Sequence, residues 1–90
     1  MKVLVIIVSY NFERWINRCL GSLRKSSHPI DVMVIDNSSK DRSVDIIKND
    51  FPEVRLVETG KNLGFGRANN IGLKFALDEG YDFAFLLNQD

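Results

Sequence analysis

"MKVLVIIVSYN", residues 1–11, carries six consecutive apolar residues, Val3 to Val8, between a lysine and the polar group Ser9, Tyr10 and Asn11. A basic start and an apolar run are also how a signal peptide opens. Six residues are too few for its apolar region, and Tyr10, Asn11 and Glu13 follow where small residues and a cleavage site belong. The run is short and dominated by Val and Ile, so it reads as a strand. Because successive strand side chains point to opposite faces, an unbroken apolar run has both faces in the core. That pattern belongs to a parallel sheet with helices on both sides.

Three further stretches read as strands: "IDVMVID" (residues 30–36), "VRLVE" (54–58) and "FAFLLN" (83–88). Between the first two strands, Phe12, Trp15, Ile16, Cys19, Leu20 and Leu23 recur at the spacing of one helix face, with Asn11 set to cap the helix and Glu13 in its first turn. A second, shorter helix is expected from Arg42 to Asn49, burying Val44 and Ile47, with Pro52 blocking its continuation. A third is expected from Gly66 to Glu79, with Ala68, Ile71, Gly72, Phe75 and Ala76 on one face and Gly80 as its stop. The order is βαβαβαβ. The expected fold is therefore α/β: a three-layer, Rossmann-like arrangement with a mainly parallel sheet and right-handed crossovers. The first, second and fourth strands are expected to be covered on both faces.

Composition narrows the partners. Ninety residues suffice for one domain, 1–90, with no material for a second core. Twelve basic side chains balance twelve acidic ones, which removes the bulk electrostatic reason to bind nucleic acid or an anionic membrane. No stretch approaches the roughly 20 apolar residues of a membrane span. A lone Cys19 has no internal disulfide partner and reads as a core residue. It fits a reducing compartment, so a cytoplasmic location is expected, and any membrane association of a longer parent is not written in these residues.

In parallel α/β sheets, ligands gather at the carboxyl ends of the strands. The residues there are polar: Ser9, Tyr10 and Asn11 after the first strand; Asp36 to Asp41 ("DNSSKD") after the second; Gly60, Lys61, Asn62, Gly64, Gly66 and Arg67 after the third; Asn88 and Asp90 after the fourth. Singly, each has an ordinary explanation as a cap or turn. Jointly, they form one rim. A strand-end carboxylate such as Asp36 can accept from the imide N–H of uracil or thymine, and Tyr10 can pack on a base or ribose. Asn88 and Asp90 offer the oxygen ligands that Mg²⁺ or Mn²⁺ shares with phosphates. "GKNLGFGRANN" adds glycines that admit close backbone approach, a helix N-terminus, and the cations Lys61 and Arg67.

In order and spacing, "VSYN", "VIDNSSKD", "NLGFGRANNIG" and "LLNQD" resemble the N-terminal, nucleotide-binding half of family 2 glycosyltransferases of the A type (GT-A), and most of all its rhamnosyltransferase-like branch. The resemblance covers essentially the whole chain. It implies the donor-binding subdomain of an inverting enzyme that moves a sugar from a UDP- or dTDP-sugar, dTDP-rhamnose among them, to a glycan or lipid-linked acceptor in cell-surface polysaccharide synthesis. Carried over by position, Ser9, Tyr10 and Asn11 border the nucleoside, Asp36 contacts the pyrimidine, and Asp41 supports that loop. Asn62, Gly64, Gly66, Arg67 and Asn88 complete the nucleotide-sugar contacts, with Asn62, Asn69 and Asn70 bracing loops. Asp90, with Asn88, occupies the family's Asp-x-Asp metal position for a divalent cation. Here Asn88 replaces the first acid and Gln89 stands where the branch often has proline, so the position carries one negative charge less.

The resemblance also implies what these residues lack. The general base and the acceptor pocket are expected outside them, so the chain alone is expected to bind nucleotide weakly and to catalyse no transfer. An incompletely covered fourth strand invites self-association. Two other readings stay open from the pattern alone. A dinucleotide-binding Rossmann domain would share the alternation, although "GFGRAN" follows the third strand rather than the first. A flavodoxin- or receiver-like module would carry acids after its first strand, where this chain has Ser9, Tyr10 and Asn11.

Overall fold

The computed structural model describes residues 1–26 and 29–87. The elements run β1 (Val3–Ser9), α1 (Ile16–Arg24), β2 (Asp31–Asp36), α2 (Ser43–Asp50), β3 (Arg55–Glu58), α3 (Phe65–Asp78) and β4 (Phe83–Leu87). The four strands form one parallel sheet in the order β3-β2-β1-β4. The α/β alternation read from the sequence is thus the architecture observed.

Strand alternation divides the core in two. Val5 and Ile7 of β1 and Val34 of β2 meet Ile16 and Leu20 of α1 and Ile47 of α2, together with Phe12, Phe51 and Val54. Leu4, Ile6 and Val8, with Met33 and Ile35, meet Ala68 and Ala76 of α3 on the other face. The unbroken apolar run of β1 is therefore explained, since its odd and even residues serve different layers. Cys19 is half-buried beside the first cluster, and burial pushes its thiol pKa up, which suits a packing residue rather than a nucleophile.

Three expectations need correction. The helix after β1 begins at Ile16 with Trp15 at its N-cap position, and no side chain caps it. Asn11 instead adopts a left-handed backbone (φ 53°) and turns its side chain to the neighbouring loop. Glu13 accordingly precedes the helix, and no acid occupies the first turn. The fourth strand is not covered on both faces: Phe83, Phe85, Leu86 and Leu87 are all exposed, because β4 is the edge of the sheet. The other boundaries differ from the expected ones by about one residue.

Gly80 does end α3. It takes φ +72°, its N–H donates to Leu77 O, and Tyr81 N–H donates to Ala76 O, which is a Schellman closure. Tyr81 then packs on Phe75, with ring centroids 6.1 Å apart, so the chain enters β4 from a fixed direction. Among the described residues, no helix is long and apolar enough to cross a membrane.

Candidate functional site

Parallel pairing places Ser9, Asp36 and Glu58 in one row at the carboxyl end of the sheet. The loops that follow β1, β2 and β3 meet there. Asp36 is buried, and its carboxylate accepts from Ser39 N–H (2.8 Å) and Ser39 Oγ–H (2.5 Å). Ser39 Oγ accepts in turn from Asn11 N–H (2.8 Å), while Asn11 Oδ1 accepts from Lys40 N–H (2.8 Å). The left-handed turn at Asn11 thus sets the 10–15 loop against the 37–42 loop.

A second relay runs alongside. Ser43 Oγ donates to Asp41 Oδ1 (2.5 Å) and accepts from Phe12 N–H (2.7 Å). Asp41 also accepts from Ser43 N–H and Glu13 N–H, and Glu13 Oε1 accepts from Arg42 N–H. Desolvation opposes the Asp41 charge, but these donated hydrogen bonds together outweigh it and hold the carboxyl below its ordinary range. Asp41 thus ties its own loop to the 10–15 loop through Ser43 and Glu13.

The third loop is tied to the other two. Thr59 N–H donates to Asp36 O (3.1 Å), and its Oγ lies 3.0 Å from the same oxygen and 2.5 Å from Lys61 O, to which its one proton is the better matched. Asn37, buried directly after β2, accepts from Leu63 N–H and donates from Nδ2 to Gly64 O, each at 3.3 Å. Asn62 Oδ1 accepts from Gly64 N–H, so it braces its own turn. Gly64 takes φ +83° at the start of α3, a conformation that favours glycine, and Gly66 and Arg67 follow on the exposed first turn.

The expected site residues among those described can now be placed. Ser9, Asn11, Asp36 and Asp41 converge, Tyr10 lies exposed at the same rim, and Asn62, Gly64, Gly66 and Arg67 form its third wall. Ser9 is fully buried, and its Oγ has no hydrogen-bond partner among the described residues. Asn69 is buried in α3 and Asn70 is exposed. The metal and nucleotide assignments to Asn88 and Asp90 lie outside the described residues. Among those that are described, no group of three His, Cys, Asp or Glu side chains is placed to hold a metal.

Sequence reasoning passed over Asn37, Ser39, Ser43 and Thr59 as functional residues. The one local signal was spacing, since Ser39 stands three residues after a strand-end aspartate. Clefts elsewhere lie at the opposite end of the strands, such as one of about 270 Å³ lined by Arg24, Ile30, Asp31 and Glu53. That end is not where ligands of parallel sheets collect.

The sequence profile of glycosyl transferase family 2 matches residues 4–90. The chain belongs to this family. Among its relatives is the N-acetylglucosaminyl-diphospho-decaprenol L-rhamnosyltransferase of Mycobacterium tuberculosis, 37% identical over 67 residues, covering 73% of this chain and 22% of that protein. Residues 1–349 of Staphylococcus aureus TarS, in complex with UDP, superpose with a TM-score of 0.85 at 28% identity, over 100% of this chain and 28% of that TarS fragment. The mannosyltransferase PcManGT of Pyrobaculum calidifontis, in complex with GDP-Man and Mn²⁺, gives 0.73 at 27% identity over 82% of this chain and 24% of its own. The chain thus spans about a quarter or less of the length of these relatives, 17% in the case of the longer TarS chain. Both the GT-A architecture and the kinship to rhamnosyltransferases agree with the sequence motifs.

Proposed function

We propose that this family 2 domain binds the nucleoside diphosphate of a sugar donor at the rim formed by Ser9, Tyr10, Asp36 and the 59–67 segment. The observation that carries the reading is the buried Asp36 carboxylate, fixed by Ser39 opposite Ser9 at the carboxyl end of the two central strands. A carboxylate held there accepts an imide N–H, which favours uracil or thymine over purines. Tyr10 supplies an exposed aromatic face for the base or ribose. Gly66 and Arg67, on the first turn of α3, supply backbone donors and a cation for phosphate.

The donor is read as a UDP- or dTDP-sugar, dTDP-rhamnose included, and the longer protein as an inverting glycosyltransferase acting on a glycan or lipid-linked acceptor on the cytoplasmic side. Its relatives' names and the UDP-bound TarS support a nucleotide-sugar donor. A divalent cation at Asn88 and Asp90, Mg²⁺ or Mn²⁺, would neutralise charge on the departing diphosphate, and the Mn²⁺ complex of PcManGT supports its use. The chain's own part is to orient the nucleoside and exclude water from beneath it, and the base that deprotonates the acceptor is supplied elsewhere.

Titration of the chain with UDP, dTDP and GDP up to millimolar concentration, with and without Mn²⁺ and with NAD as a control, tests this. Pyrimidine diphosphates are expected to perturb amide resonances of residues 9–11, 36–41 and 62–67, more strongly with Mn²⁺. Binding of NAD in preference to either pyrimidine diphosphate would replace this reading with a dinucleotide site.

A further inference from the structure

Asn37 is 3% exposed and stands where the three described rim loops meet. Its backbone N–H donates to Ser9 O (2.8 Å), which extends the β1–β2 ladder one rung past the sheet. Its side chain reaches the other way, to the segment that leads into α3. Oδ1 faces the Leu63 N–H and Nδ2 faces the Gly64 carbonyl, so both ends of the amide are matched to partners of opposite character. Gly64 O also accepts the first helical N–H, from Ala68, so the Asn37 side chain holds the peptide on which α3 begins. Thr59 anchors only the near end of this segment, to Asp36 O. Among the described residues, no hydrogen bond joins residues 60–62 to β1 or β2, which leaves Asn37 as the tie at the far end.

We propose that Asn37 is a positioning residue for the donor site, and the proposal rests on the donor-binding reading above. Its carboxamide sets the start of α3, with Gly66 and Arg67, at a fixed place relative to Asp36, so that the base-facing and phosphate-facing walls of the rim are held together before a ligand arrives. Preorganisation of this kind spares the ordering that binding would otherwise require. Only an amide serves here. A carboxylate of the same shape keeps the acceptor for Leu63 but sets a negative oxygen against the Gly64 carbonyl.

The test compares the wild-type chain with Asn37→Asp and Asn37→Ala by two readouts: amide hydrogen exchange at Leu63 and Ala68, and UDP affinity by chemical-shift titration. At neutral pH both variants are expected to bind UDP about tenfold more weakly, as loss of a buried hydrogen-bonded group implies. As the pH falls through the range in which this buried carboxyl, raised above its ordinary value by desolvation, takes up a proton, the acid in Asn37→Asp regains a proton to donate. Its affinity relative to wild type is then expected to recover, while that of Asn37→Ala stays low. Acids common to all three proteins contribute equally, and the ratio to wild type removes their contribution. Wild-type affinity in Asn37→Asp at neutral pH, or deficits that do not separate in acid, would overturn the proposal. Should the wild type show no response to UDP, the donor reading falls. Exchange then decides the tie alone: about tenfold faster exchange at Leu63 in Asn37→Ala upholds it, and unchanged exchange overturns it.

Discussion

Gly72 lies so close to Ile6 that a Cβ added there would stand 2.6 Å from Ile6 Cγ2 and 2.9 Å from its Cδ1. Helix α3 rests directly on β1 at this point, and Ile6 is fully buried with a branched side chain that has little room to turn. Gly72→Ala gains helix propensity of up to about 1 kcal/mol but forces overpacking that typically costs about 1–3 kcal/mol. A net loss of about 1 kcal/mol is expected in urea unfolding. Gly66→Ala, with nothing within 4 Å of the added Cβ, is expected to unfold no more easily than wild type. Equal midpoints for the two variants would show that α3 does not pack as described.

Ser9 supplies a contrasting case. Its hydroxyl is buried with no partner among the described residues, so Ser9→Ala removes a polar group they leave uncompensated and is expected to leave stability unchanged or raise it by up to about 1 kcal/mol. UDP affinity is expected to fall in the same variant, since a hydroxyl kept at a cost to the fold is kept for a ligand. A stability loss above about 1 kcal/mol in denaturant titration would instead reveal a structural partner for Oγ.

Asp41 makes the rim acid-sensitive in a defined direction. Its carboxyl is held below the ordinary range by Ser43 and Glu13 donors acting against desolvation, so the unfolded chain takes up the proton first as pH falls. The stabilisation is complete above the ordinary carboxylate pKa, about 4, and is lost as pH falls through the lower folded value. Asp41→Asn is expected to be less stable at neutral pH and to show a shallower decline below pH 4. Parallel unfolding curves for the two proteins across that range would rule the contribution out.

Strand β4 bears on self-association. Phe83 and Phe85 are 50% and 55% exposed and stack with centroids 6.4 Å apart on an edge strand that carries no charge. Such edges pair with other chains unless a charge interrupts them. The chain is expected to self-associate at high concentration in light scattering, and Phe85→Lys is expected to reduce this. A wild type that stays monomeric throughout would count against it.

Much of this was legible in the residues. The unbroken run Val3–Val8 specified a strand buried on both faces, and Gly80 marked the end of α3, because both features are local in sequence. The loop geometry was not legible. Asn11 precedes a helix-like pattern and reads as a cap, yet its partners are Ser39 and Lys40, 28 and 29 residues away. No local rule weighs a cap against a contact at that separation. Likewise, Asn37 looks like one polar loop residue among several, and its significance depends on where Leu63 and Gly64 come to rest. The edge position of β4 was hidden for a different reason: "FAFLL" has the composition of a central strand, and strand order is a property of topology rather than of the strand.

That strand order has a consequence for how the chain assembles. Strand β1 is a central one, and its partner on one side, β4, is the furthest from it in sequence of the described strands: Lys2 N–H donates to Asp82 Oδ2 across 80 positions of sequence. The seam between β1 and β4 therefore closes over about 80 residues, which carries a larger loop-closure entropy than the nearer β1–β2 seam. On a ribosome delivering residues from the N-terminus, β1, β2 and β3 can pair while β1 still has one row of amides and carbonyls open to solvent. The slow step of folding is then expected at that seam, and a chain stalled before residue 83 presents its most apolar strand as the exposed edge.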